Sequence, residues 1–370
     1  MYKVDRILDI TNTLKFTSLY SQHITLNAKI VDFAGWAMPI QYNSILAEAK
    51  AVRSSAGIFD ISHMGRIEIS GCNATSFINK VVTFDVIKMV NNQAKYGLIC
   101  NENGGILDDV ILYRILENKY LLIPNASNKN IILQWLYKWA PLSQININDV
   151  TENTSMISIQ GPTATQIIST TFNKDISTLK YFRSKFFNYE GNHIFVAQTG
   201  YTGETGFEIL FDNSISIQIW KELILDGCIP CGLGARDILR LEAGLPLYGH
   251  ELTMDTNPYE ANLGKFVALN KSGNIANDSL NLLSKQTQNM YLIGFKMLEK
   301  AIPRTENKIF DDSNQEIGYV TSGSFSPYLD MGIGMGYVQS KYLNSSIKIG
   351  IRNKIAEAEI VKLPFYVKSR

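Results

Sequence analysis

Met156 to Phe172 reads MISIQGPTATQIISTTF, an apolar strand, a glycine and then a short helical pattern. The same order occurs at Arg66 to Val82, RIEISGCNATSFINKVV, and the two glycines, Gly71 and Gly161, lie 90 positions apart. A second pair of segments repeats downstream: KYLLIPNASNKNIILQWLYKW from Lys119 and FEILFDNSISIQIWKELI from Phe207. Asn125 and Asp212 occupy matching helix-cap positions in that pair, 87 apart. Similar spacing at both ends predicts a duplicated unit of strand, helix, strand, strand, helix, strand. Each copy should form a split βαβ, ferredoxin-like layer with its helices on one face. Two such sheets leave a cleft between them, the usual place for a ligand pocket.

The loops expected at that cleft carry the unusual residues. In the first copy, KYGLICNENGGILDDVILYR places Tyr96 on one strand and runs two glycines into Asp108 and Asp109 at the mouth of another. Neighbouring side chains on a strand point to opposite faces, so at most one of the two aspartates faces a given pocket. By local pattern the pair is either a self-satisfied hairpin turn or an acid/base or ligand-anchoring site. In the second copy, TGYTGETGFE spaces Gly200, Gly203 and Gly206 three apart and leaves Tyr201, Glu204 and Glu208 projecting from a bent backbone. Gly232 to Leu252, GLGARDILRLEAGLPLYGHEL, puts Arg236 and Arg240 on one helical face. Each arginine is either paired inside the protein, with Glu242 a candidate partner, or offers its fork to a ligand.

Upstream of the first copy, Leu14 to Met64 reads as a lead-in helix, a loop in VDFAGWAMPIQY, a helix capped by Asn43 or Ser44 and ended by Gly57, and a turn in IFDISHM. Downstream, KSGNIANDSLNLLSKQTQ reads as a linker or surface helix. From Met290 onward, short alternating strands separated by turns suggest a small β-barrel or sandwich. Gly332, Gly334 and Gly336 lie in strand context and are no phosphate loop. The expected organisation is α+β in three domains: 1–62 with 150–285, the repeat-related 63–149, and a β-barrel at 286–370.

Composition bounds the function. The 370 residues carry 35 Lys plus Arg against 34 Asp plus Glu, a net charge of +1, so no global field draws nucleic acid or a membrane. There is no apolar run of about 18 residues, and Asp5 and Asp9 argue against a signal or transit peptide at the N-terminus. Four cysteines in a chain of this size are too few for a disulfide scaffold and point to a reducing, cytoplasmic setting. Cys228 and Cys231 form a C-x-x-C without a second cysteine pair or a histidine cluster, so they read as ordinary thiols beside a helix start rather than metal ligands.

Taken together, VDFAGWAMPIQY, IFDISHM, NENGGILDDVILYR, SIQGP, TGYTGETGFE, CGLGARDILRLEAGLPLYGHE and TSGSFSP resemble, in order and over nearly the whole chain, the aminomethyltransferase or T-protein family of the glycine cleavage system. The resemblance implies a three-domain cloverleaf with tetrahydrofolate in a central site. It implies an enzyme that takes the aminomethyl group from the lipoyl arm of the H protein and passes its methylene to tetrahydrofolate, releasing ammonia. By the same resemblance Asp109 is the catalytic carboxylate. Glu208 bonds the pterin, Met64, Tyr96 and Tyr201 contact the pterin and aminobenzoyl faces, Asn125 adds a polar contact, and Arg236 meets a polar or anionic part of folate. The C-terminal PFYVKSR is less similar, and contacts from that end are open. The implied protein is a monomer or weak oligomer of the cytoplasm, or of the mitochondrial matrix in a eukaryote. Relatives that demethylate a small sulfonium or amine, or that bind folate as iron–sulfur assembly factors, are the rival readings; Asp109, Glu208 and Arg236 together favour transfer chemistry.

Overall fold

The computed structural model describes residues 14–141, 143–271 and 273–368; the N-terminal reading on Asp5 and Asp9 lies outside them. The chain opens with α1 (Tyr20–Thr25), β1 (Lys29–Phe33), β2 (Trp36–Gln41), α2 (Ile45–Ser54) and β3 (Gly57–Asp60). The segment expected to be a loop is thus the hairpin of β1 and β2. Ala34 and Gly35 adopt φ of 52° and 80°, the left-handed pair that a two-residue hairpin requires, and Asp32 Oδ1 accepts the Gly35 N–H at 2.9 Å. The expected turn at IFDISHM is likewise β3 in its first half. Neither Asn43 nor Ser44 caps α2 through its side chain; Glu48 instead folds back, and its Oε1 accepts the N–H groups of Tyr42 and Asn43 at 2.7 and 2.9 Å.

The first copy of the repeat comprises β4 (Ile67–Ser70), α3 (Ala74–Val81), β5 (Gln93–Cys100), β6 (Ile106–Leu116), β7 (Lys119–Ile123), α4 (Lys129–Trp139) and β8 (Asn146–Asp149). Its sheet runs β5-β6-β7-β4-β8. The second copy comprises β9 (Thr154–Gln160), α5 (Ala164–Thr171), β10 (Ser184–Tyr189), β11 (Asn192–Ala197), β12 (Gly206–Asp212), α6 (Ser216–Leu225) and β13 (Ile229–Pro230). Its sheet runs β10-β11-β12-β9-β3-β13. The duplication is therefore real, but each unit holds three strands between its helices where two were expected. In the first copy β6 and β7 are joined by Glu117 and Asn118 alone, with Asn118 at φ 58°. The second sheet also accepts β3 between β9 and β13, with β13 parallel to it.

In both copies the helices cover one face of the sheet. Ile67, Phe77, Leu112, Leu122 and Leu136 form the first core, and Ile157, Ile168, Ile209, Phe211 and Trp220 the second. The opposite faces meet: Tyr113, Ile115 and Leu121 from the first sheet pack with Met156 and Phe195 from the second, and with α2 and α7 (Leu233–Glu242). A full burial of one such side chain contributes about 1.5–3 kcal/mol. After α8 (Asn277–Leu283) the chain forms β14 (Met290–Met297), β15 (Lys308–Phe310), β16 (Glu316–Ser326), β17 (Met331–Gln339), β18 (Ile347–Ile351) and β19 (Lys354–Val361). These close into a six-stranded barrel of order β14-β17-β16-β15-β18-β19. Among the described residues no helix is long and apolar enough to cross a membrane.

Candidate active site

Between the facing sheets, α7 and the barrel lies a cavity of about 1320 Å³. Met64, Tyr96, Asp109, Asn125, Tyr201, Glu208 and Arg236 all line it, so the seven residues to which the family resemblance gave a role reach one space.

Strand alternation separates the two aspartates. Asp109 lines the cavity, while Asp108 turns to the other face and is fully buried. Asn125 does not cap α4, whose N-cap is Asn128. Its amide bridges the pair instead, with Nδ2 donating to Asp108 Oδ1 and Asp109 Oδ1, both at 2.8 Å. Its backbone N–H reaches Asp108 Oδ2 at 2.9 Å, and Asn128 Nδ2 adds a third donor to Asp108 at 2.8 Å. The Tyr96 hydroxyl donates to Asp109 Oδ2 at 3.2 Å. Burial is the largest influence on both carboxyls and holds each above the ordinary carboxylate range; the charge of Asp109 adds to the effect on Asp108, while the donors from Asn125, Asn128 and Tyr96 oppose it. Asp109 is thus a carboxyl in a dry wall, oriented by an amide and a phenol.

Across the cavity, Glu208 Oε2 accepts from Thr199 Oγ1 at 2.7 Å and from Tyr113 OH at 3.3 Å. Among the described residues no donor reaches Oε1. Gly200 and Gly206 pack against the Gln160 side chain, which a Cβ at either position would meet within 2.2 to 2.3 Å. That close approach explains two of the three glycines in the loop; Gly203 at φ 79° needs the left-handed region itself.

The two arginines of α7 part ways. The Arg240 Nη1 meets Glu251 at 2.9 Å, Nη2 bonds Ser322 Oγ at 2.8 Å and Nε bonds Asp237 at 2.8 Å, which makes it a buried strut between α7 and β16. Glu242, the expected partner, is taken by Arg53 at 2.7 Å. The Arg236 side chain makes no hydrogen bond to any described residue; its guanidinium lies 4.7 Å above the Tyr201 ring and Nη1 is buried without a partner. Burial pulls its pKa down, against the charge of Glu208. His63 also lines the cavity, edge-on to Phe33 at 5.4 Å, and burial drives its pKa down to about 3, so the ring is neutral. His63, Tyr248 and Phe325 were not singled out from sequence, and Phe33 only as part of the VDFAGWAMPIQY stretch; the β1–β2 hairpin, the turn after β3, the segment after α7 and the barrel bring them to the cavity. Cys228 and Cys231 are buried free thiols with pKa values raised by burial, as ordinary core cysteines are. Among the described residues no cluster of His, Cys, Asp and Glu is placed to hold a metal ion.

Residues 19–271 match the GCVT N-terminal domain family, and residues 291–366 match the glycine cleavage T-protein C-terminal barrel domain. The chain is 42% identical over 369 residues to an aminomethyltransferase of Caldanaerobacter subterraneus subsp. tengcongensis, with 98% of each chain covered. It is 42% identical over 363 residues to the aminomethyltransferase of Chloroherpeton thalassium, covering 96% of this chain and all of that one. Its fold superposes on the crystal structure of glycine cleavage system aminomethyltransferase T from Bartonella henselae with a TM-score of 0.91 at 32% identity, covering 96% of this chain and 98% of that one.

Proposed function

The chain belongs to the glycine cleavage T-protein family of aminomethyltransferases, and on that premise we propose that it transfers the methylene of an aminomethylated, lipoyl-bearing H protein to tetrahydrofolate in the cavity described above. The observation that carries this reading is a complementary pair lining it: Arg236, a half-buried guanidinium whose Nη1 is buried with no protein partner, and Glu208, a carboxylate with one oxygen unbonded. Leaving such a cation unpaired costs stability, and a bound ligand with an acceptor would offset that cost. A reduced pterin suits the set. Its flat ring fits between Met64, Tyr96 and Tyr201, and its edge of adjacent N–H donors matches a carboxylate.

In the reaction, tetrahydrofolate supplies two N–H nitrogens. The carbon–sulfur and carbon–nitrogen bonds of the aminomethyl group break, and two carbon–nitrogen bonds to folate form. The two displaced protons leave on ammonia and on the dihydrolipoyl thiol, so the balance needs no outside reductant. Asp109 holds the accepting nitrogens in line, fixed by Asn125 Nδ2 and Tyr96 OH, and its raised pKa suits it to take up a proton from one of them and hand it to the departing amine. The apolar wall of Phe33, Ile61 and Ile111 excludes water from a carbon that would otherwise be hydrolysed.

Tetrahydrofolate titration by calorimetry tests the assignment. The wild type should bind, and Glu208→Gln and Arg236→Met should each weaken binding by the value of a charged hydrogen bond, about 1.5–3 kcal/mol. Arg236→Met should also hold or raise Tm, because it removes an unpaired buried charge. Wild-type affinity in both variants would take the pair out of the folate site.

A further inference from the structure

We propose that Tyr366, from the C-terminal segment, is a positioning residue for the glycine loop of the tetrahydrofolate cavity; the proposal rests on the folate reading above. After β19 the chain leaves the barrel and returns across α7. Phe365 enters the apolar cluster of Leu241, Leu292 and Tyr337, and the backbone N–H of Tyr366 donates to Glu242 O at 2.7 Å. The Tyr366 ring then covers the outer side of the loop whose inner side, Gly200, Tyr201, Gly203 and Glu204, lines the cavity.

The contact is built through Arg53. Its guanidinium lies 3.7 Å from the Tyr366 ring centroid, and the same group donates to Thr202 O at 2.7 Å and to Glu204 Oε1 at 3.0 Å inside the loop. Its other edge is held by Glu242, at 3.0 Å from Nε and 2.7 Å from Nη2. Glu242 is itself fixed from the barrel by Ser326 Oγ at 2.6 Å. One guanidinium therefore joins α2, α7 and the loop, and Tyr366 is the lid on its open face. Gly203 leaves room for the ring, since a Cβ there would stand 3.3 Å from Tyr366 Cδ1. Beyond the ring, Lys368 Nζ reaches Thr205 Oγ1 at 2.6 Å.

The chain of contacts is short: ring to guanidinium, guanidinium to the carbonyl of Thr202, and next along the backbone Tyr201, whose own ring carries Arg236. Without the stack, the open face of the Arg53 guanidinium meets water, its bonds to Thr202 O and Glu204 weaken, and the loop is held less firmly in its bend. The effect belongs to folate affinity and not to the chemical step, because Asp109, Asn125 and Tyr96 sit on the other sheet.

The experiment compares wild type, Tyr366→Ala and Tyr366→Phe. Tyr366 is only partly buried, so neither substitution opens the core. Tyr366→Ala should weaken tetrahydrofolate binding about tenfold, the scale of one stacked cation. It should raise KM for folate while kcat at saturating folate stays near wild type, and it should speed amide hydrogen exchange at residues 199–206 in the folate-free protein. Tyr366→Phe keeps the ring and should restore all three. Unchanged affinity and exchange in Tyr366→Ala, a loss that Tyr366→Phe shares in full, or a fall in kcat and Tm with KM unmoved would overturn the proposal. If the wild type takes up no tetrahydrofolate, the functional reading fails instead, and the exchange comparison still decides whether Tyr366 positions the loop.

Discussion

Asp108 and Asp109 are one position apart on β6 and serve opposite faces of it. Asp108 collects three donors from the turn before α4, so Asp108→Asn places an amide N–H against donors and should lower stability by about 1–3 kcal/mol, read as a fall in Tm. Asp109→Asn keeps one acceptor oxygen in place. It should hold Tm near wild type and reduce turnover by about two orders of magnitude or more, measured at saturating substrates. Equal losses of turnover in folded forms of both variants would mean that the roles are wrongly divided. The pair also fixes a pH dependence. Both carboxyls have folded-state pKa values above the ordinary 3.8, so between that value and the raised ones the folded state binds more protons than the unfolded state. The pair's contribution to stability must then fall as pH rises through that range, while His63, with its pKa lowered to about 3, contributes in the opposite sense up to its ordinary value. The Tm of the wild type minus that of Asp109→Asn, scanned from pH 4 upward, isolates the pair and should fall as pH rises, because one of the two charges is gone in the variant. Legibility at this scale followed chemistry: Asp109, Glu208 and Arg236 stand beside glycines that bend the chain. Phe33 ends an ordinary strand and His63 sits in a plain turn, and neither carries a local mark.

At the level of elements, the repeat was readable because glycine punctuates each strand-to-helix turn, Gly71 and Gly161 both with φ above 120°. The third strand of each unit and the β1–β2 hairpin were not. Both turn on residues outside the usual Asn-Gly pair: Glu117 and Asn118 in one, Ala34 and Gly35 in the other. A helix face likewise shows which residues are neighbours along one element but not what lies opposite. Arg240 and Glu242 share α7, yet Arg240 pairs with Glu251 and Ser322, and Glu242 with Arg53 and Ser326. Arg240→Met should therefore leave Glu251 buried and short of its cation, costing about 3–5 kcal/mol. Denaturant unfolding checks this, and a double change of Arg240→Met with Glu251→Gln should recover part of the loss. A single change with wild-type stability would remove the strut from the account.

For the molecule as a whole, no one sheet holds the site. Asp109, Asn125 and Tyr96 come from the first repeat, Glu208 and Tyr201 from the second, Arg236 from α7, and Ser324 and Phe325 from the barrel. The duplicated fold brings the open faces of two sheets together, and the site draws on different connections of the two units: the β5–β6 loop leads into the carboxylate pair in the first, and the β11–β12 loop carries the glycine bend in the second. Long-range convergence of this kind leaves no trace in local pattern, which is why local reading could mark Tyr96, Asp109, Tyr201, Glu208 and Arg236 as unusual, while roles for the seven residues came from family resemblance and their cavity only from the fold. The most direct measurement is ammonia release from aminomethylated H protein at catalytic enzyme concentration, with and without tetrahydrofolate. The account predicts release that depends on tetrahydrofolate and matches 5,10-methylenetetrahydrofolate mole for mole, and that Asp109→Asn nearly abolishes. Release at the same rate without folate, or folate binding with no release at all, would contradict it.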